Sequence, residues 1–82
     1  MGMETTGVTP LIPGGTYRHY KGKLYRLHGL VRHSETLEEL VLYETLYEND
    51  LGRMWVRPKQ MFCESIEIDG RHVARFEFVK RP

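Results

Sequence analysis

Two short strings concentrate chemically capable side chains: His33-Ser34-Glu35-Thr36 and Trp55-Val56-Arg57-Pro58. An imidazole titrates near neutrality, and a neighbouring carboxylate can fix its tautomer and raise its basicity. An indole beside a guanidinium can stack on a planar ligand and clamp an anionic one. Together the strings predict a rim where His33, Ser34, Glu35, Tyr43, Trp55 and Arg57 meet around a polar ligand. Tyr47 is a further aromatic candidate beside Tyr43.

Strand geometry narrows that chemistry. Neighbouring residues on an extended chain point to opposite sides, so His33 and Glu35 share a face from which Ser34 turns away. A Ser-His-Glu triad within the block is therefore geometrically poor. Capping offers another use for the same groups, because Ser and Thr side chains satisfy turn N–H groups and Glu35 or Glu38 complements a helical first turn. Capping outweighs catalysis here. Trp55 and Arg57 have a second reading too, a core indole with an arginine running along it. A Glu35–Arg57 ion pair would make both strings one structural network.

The remaining titratable residues define no metal or cofactor site. His19, His28, His33 and His72 lack ligand spacing, and one cysteine, Cys63, excludes an internal disulfide, a Cys-rich zinc site and an Fe–S cluster. Beside Phe62, Cys63 reads as a small packed residue. Gly14-Gly15 precedes the folded part instead of joining a strand to a helix, so no phosphate loop is indicated. From Tyr17 to Arg26 aromatics alternate loosely with bases, as on surfaces that bind single-stranded nucleic acid. Yet these aromatics occur at both strand parities, and 12 Lys and Arg against 11 Asp and Glu give a net charge of only +1.

The elements that must position these groups are small. The 82 residues divide into a Gly-, Pro- and Thr-rich segment, 1–15, whose lack of any sustained period predicts a mobile, disordered tail, and one domain, 16–82. The first six residues fit a loose N-myristoylation pattern too short to carry weight. A domain this size buries about 60% of its unfolded surface, which favours a shallow groove over an enclosed active site. No signal-like or membrane-length apolar stretch is present, and with the lone cysteine this points to a cytoplasmic protein.

Tyr17 to Val31 read as two strands joined at Lys21-Gly22. On the second, Tyr25, Leu27, Gly29 and Val31 share a face that His33 continues. Residues 35–48 are ambiguous: Leu37, Leu40, Val41 and Glu44 fall at helical spacing, whereas Leu40 to Tyr47 is rich in strand formers. A polar or helical turn near 34–39 followed by a strand fits better. Pro58 ends the Trp55 strand and opens a helical turn over Lys59 to Phe62. Ile66 and Ile68, the turn Asp69-Gly70, and the alternation from Val73 to Lys80 predict a closing hairpin. The result is a mainly β fold, five to six short strands in a small antiparallel barrel with one or two helical turns.

The run Tyr17-Arg18-His19-Tyr20-Lys21-Gly22-Lys23-Leu24-Tyr25, Gly29, His33-Ser34-Glu35-Thr36, Val41, Tyr43, Leu46-Tyr47, Trp55-Val56-Arg57-Pro58 and Met61-Phe62 resembles the bacterial family called domain of unknown function 1653. The likeness extends from about Tyr17 to Phe78. It implies an SH3-like β-barrel and favours strand over helix for 40–48. It implies no catalytic role, cofactor or ligand. The expectation is a binding or accessory module for a small polar ligand or a protein segment. The alternatives are a single-stranded nucleic-acid binder and, behind it, a small enzyme using His33 and Glu35.

Overall fold

A computed structural model describes residues 9–82; residues 1–8, with the myristoylation-like hexapeptide and the first half of the expected tail, lie outside the described residues. Seven strands and one short helix follow in order: β1 Thr16–His19, β2 Leu24–Arg32, β3 Glu39–Thr45, β4 Met54–Pro58, α1 Lys59–Cys63, β5 Ser65–Ile68, β6 Arg71–Ala74 and β7 Phe76–Lys80. Strands β4-β3-β2-β1-β7 form one antiparallel sheet, and β5-β6 a separate hairpin. The mainly β expectation holds, as does strand over helix for residues 40–45.

Local chemistry sets the turns. Gly22 at φ +108° closes β1–β2, where its N–H reaches the His19 carbonyl at 2.7 Å. Asp69 and Gly70, at φ +51° and +79°, give the paired left-handed geometry of a tight hairpin between β5 and β6. Pro58 precedes α1, whose Phe62 is fully buried.

The five-stranded sheet is rolled. Its edge strands β4 and β7 do not pair, yet Arg57 on β4 sets its guanidinium carbon 5.4 Å from the Phe76 ring centroid on β7. Phe76 stacks on Phe62 at 4.0 Å and 7° between planes, so α1 fills the roll. Tyr17, Leu27, Val41 and Tyr43 complete a core that is predominantly aromatic, with rings meeting edge to face.

Three expectations give way. The run from Val73 to Lys80 is not one strand: at Arg75 the chain leaves its β5 partner, with the Arg75 N–H on the Glu64 carbonyl and its own carbonyl accepting from Tyr20 N–H. Beyond that pivot, β7 pairs with β1. On β2 burial alternates as expected from Leu24 to Arg32 even though the β3 register shifts between Leu27 and Gly29, but the strand ends at Arg32, so the expectation that His33 continues the inner face fails.

The third concerns the expected tail. Residues 9–15 are fastened down: the buried Thr9 hydroxyl donates to the Phe76 carbonyl, Gly14 N–H to the Leu27 carbonyl, and Leu27 N–H to the Gly15 carbonyl. The Tyr17 hydroxyl accepts from Ile12 N–H at 2.9 Å and donates to the Pro10 carbonyl. Composition marked residues 1–15 as a mobile, disordered tail; over 9–15 the backbone is irregular but tied to nearby Tyr17 and to Leu27 and Phe76, which are remote in sequence.

Candidate functional site

The six residues expected at one rim separate into two groups. His33, Ser34 and Glu35 form the exposed connection from β2 to β3. There the His33 ring Nδ1 accepts from the Glu35 and Thr36 N–H groups, and the Thr36 hydroxyl accepts from Glu38 N–H. The block is thus a self-capped turn, closed by Leu37 N–H on the His33 carbonyl. Leu37 itself adopts φ +65°, which costs a residue with a Cβ roughly 1 kcal/mol. Because β2 ends at Arg32 and His33 belongs to the exposed turn, its ring does not lean over the core.

Tyr43, Trp55 and Arg57 lie together at the other end of the ladder. Tyr43 pairs with both Leu27 and Trp55, whereas the turn opens beyond Arg32–Glu39. The six residues from Leu27 to His33 span roughly 20 Å of strand. Among the described residues Glu35 forms no ion pair, so the proposed link to Arg57 is absent.

Around the second group is a cleft of about 240 Å³, with Tyr25, Tyr43 and Tyr47 on one side, Trp55 and Arg57 on the other, and Asn49 and Leu51 above. Each wall is fixed. Arg57 Nε donates to the Tyr43 hydroxyl at 3.3 Å, and its guanidinium lies against Phe76. Among the described residues its two terminal nitrogens have no hydrogen-bond partner. Trp55 is 36% exposed, its indole N–H held by the Gly52 carbonyl at 3.0 Å. Trp55 lies outside the buried core, so the expectation of a core tryptophan gives way to the exposed reading.

The Tyr25 and Tyr47 hydroxyls meet at 2.7 Å, and Lys23 Nζ stands 4.7 Å over the Tyr47 ring. Burial first, and then the bond to Tyr47, push the Tyr25 phenol well above its ordinary value. Behind the cleft His19 packs 5.0 Å from Phe76 and 6.3 Å from Tyr25. Its imidazole is held below the ordinary 6.5 by burial foremost, then by the charges of Arg57, Arg75 and Lys21. The cleft is thus cationic and aromatic.

A larger, open concavity of about 870 Å³ lies over the β3–β4 connection, from Glu44 to Arg53. Of the three acids that line it, Glu44, Glu48 and Asp50, Glu44 is already engaged. The Glu44 carboxylate meets His28 at 2.8 Å and Arg53 at 3.5 Å, and the His28 bond leads in holding it below the usual carboxylate range. The aromatic and basic run from Tyr17 to Arg26 forms no stacking row either: Tyr17 is core, Tyr25 lines the cleft, and Tyr20 alone of its tyrosines is exposed.

Sequence reasoning found Tyr43, Tyr47, Trp55 and Arg57 but not Tyr25, Asn49 or Leu51. Tyr25 was readable, since it shares the inner parity of Leu27. Asn49 and Leu51 reach the cleft only through the path of the β3–β4 connection, where Asn49 Oδ1 accepts from Leu51 N–H at 2.7 Å. No periodicity encodes that path.

No curated protein matches the chain. A family model described as protein of unknown function (DUF1653) matches residues 15–78, from the strap before β1 through β7. A crystal structure of a DUF1653 protein from Bordetella bronchiseptica is similar to it at 34% identity and a TM-score of 0.79, over 87% of this chain and 91% of that one. The chain belongs to the DUF1653 family.

Proposed function

We propose that this domain is a binding module whose Trp55–Arg57 cleft takes up a carboxylate-bearing group, carried by a small polar ligand or by a protein segment. One observation carries this reading: Arg57 is oriented from behind by the Tyr43 hydroxyl and the Phe76 ring while its terminal nitrogens are left unengaged beside a half-exposed indole. A guanidinium held in this way presents a planar fork that matches a carboxylate. The indole and Tyr47 supply stacking surfaces for whatever the carboxylate is attached to. The volume suits one planar ring or one side chain, not an extended polymer. His33, Ser34 and Glu35 stand apart from the cleft and take no part.

A thermal-shift screen of aromatic carboxylates and acidic peptides, followed by titration of hits through Trp55 fluorescence, tests this. Hits should raise the melting temperature of the wild type by mass action and lose that effect in Arg57→Ala, which stays folded. A panel without a hit, or hits that act equally on Arg57→Ala, refutes it.

A further inference from the structure

We propose that β4 is a self-association strand, through which two copies of this chain pair antiparallel about a two-fold axis at Val56. β4 is one edge of the five-stranded sheet, and its first three residues are all exposed: Met54 at 51%, Trp55 at 36% and Val56 at 51%. Sheet edges are ordinarily blunted by charges, bulges or a covering segment, because a bare edge is a template for another strand. Here Arg57 and Pro58 stand only at the far end. Nothing among the described residues pairs with the open side of β4.

The ladder with β3 determines what that open side offers. Thr45 N–H bonds the Arg53 carbonyl at 2.9 Å, and in the same register Tyr43 faces Trp55 and Val41 faces Arg57. Since hydrogen-bonded and non-hydrogen-bonded pairs alternate, Trp55 and Arg57 spend their backbone groups on β3. Met54 and Val56 therefore direct theirs outward.

A second β4, run antiparallel about Val56, meets those groups in register. The two Val56 residues exchange a reciprocal pair of hydrogen bonds, and each Met54 N–H reaches the partner's Pro58 carbonyl. Pro58 has no N–H to return, so the Met54 carbonyl stays in water, which the open end of the strand permits. Trp55 then stands opposite the partner's Arg57, at a non-hydrogen-bonded pair where side chains come closest. An indole against a guanidinium is an attractive pair, and the two-fold axis makes it twice. On the outer face Val56 covers Val56, flanked by Met54.

That match selects a second copy over an unrelated strand. Only a strand that places a cation two positions after an aromatic satisfies both diagonals, and β4 itself does so. The pairing draws on the same Trp55 and Arg57 side chains that line the cleft and sets the partner's Arg57 beside the Trp55 lip, but it does not depend on what the cleft binds.

Sedimentation equilibrium of the full chain tests the proposal. The wild type should dimerise, and Val56→Pro should weaken association by about 100-fold, the equivalent of losing the central hydrogen-bond pair. Proline is tolerated there because the Val56 N–H points away from β3. Val56→Lys, which keeps the N–H and adds an edge charge, should dissociate the dimer likewise, each variant retaining the wild-type far-UV circular dichroism. Val79→Lys, on the opposite edge strand β7, should leave the mass unchanged. A wild type that stays monomeric at its solubility limit, a dimer that survives folded Val56→Lys, or dissociation by Val79→Lys overturns the proposal.

Discussion

Replacing Tyr17 by phenylalanine isolates the attachment of the strap over residues 9–15. The ring keeps its place against Phe62 and Phe78, at centroid separations of 5.6 and 5.5 Å, so packing is retained. What disappears is one hydroxyl serving two backbone groups, the Ile12 N–H at 2.9 Å and the Pro10 carbonyl. At roughly 1 kcal/mol net per hydrogen bond, the loss is about 2 kcal/mol, rising toward about 3 where the freed groups stay dry. For a domain of this length that lowers the melting temperature by roughly 10 °C. Urea unfolding followed by far-UV circular dichroism measures the energy, and amide exchange locates it. Ile12 and Gly14 should exchange faster first, because the Gly14 N–H on Leu27 depends on the same strap. A second signature lies at alkaline pH. Burial raises the Tyr17 phenol above its ordinary 10.0, so the unfolded chain loses that proton first and stability falls as pH rises past that value. Tyr17→Phe should lack that share of the alkaline loss. A destabilisation below about 0.5 kcal/mol with unchanged exchange at Ile12 and Gly14 would refute the attachment.

Gly15→Ala probes the same strap by crowding, since a Cβ there would lie 2.9 Å from the Ile12 carbonyl oxygen and 3.1 Å from the Phe78 ring. It should cost about 1–3 kcal/mol in urea unfolding, and a neutral result would mean that the strap gives way freely. His19 gives an acid-side prediction. Its folded-state imidazole titrates below the unfolded value of 6.5, so between those two values the unfolded chain binds more protons. Stability should therefore decline as pH drops below about 6.5, levelling off beneath the folded value. His19→Phe, which keeps an aromatic ring beside Phe76, should flatten that part of the melting-temperature profile relative to wild type; an identical slope in both proteins would show that other groups cause it.

How much of this was legible depended on whether the governing contact is local. The turns at Gly22 and Asp69-Gly70, the helix after Pro58 and the strand character of β3 are set by residues adjacent to them, and the sequence read them correctly. The break at Arg75 was invisible. Its alternating residues look the same whether they face one partner or two, and only the Tyr20 and Glu64 bonds on either side divide the strand. The strap was misread for a related reason: irregular backbone signals mobility until the carbonyls of Leu27 and Phe76, remote in sequence, are found to hold it together with Tyr17. Counting residues along β2 assigned His33 the inward face, a rule that holds as far as Arg32 and lapses where the strand ends and the turn begins.

The separation of the two chemical strings follows from sheet topology. Residues at the tip of the β2–β3 hairpin and residues on the edge strand β4 belong to neighbouring elements and still face different solvent. Trp55 and Arg57 gain their importance because β4 is an edge strand bent toward the opposite edge, where Phe76 waits. The guanidinium that spans that gap helps to close the roll and, on its other side, lines the cleft. One residue therefore serves fold and site together, and the same bend leaves the outer backbone of Met54 and Val56 without a partner. The cleft and the open edge are two faces of one structural fact, the failure of β4 to pair with β7.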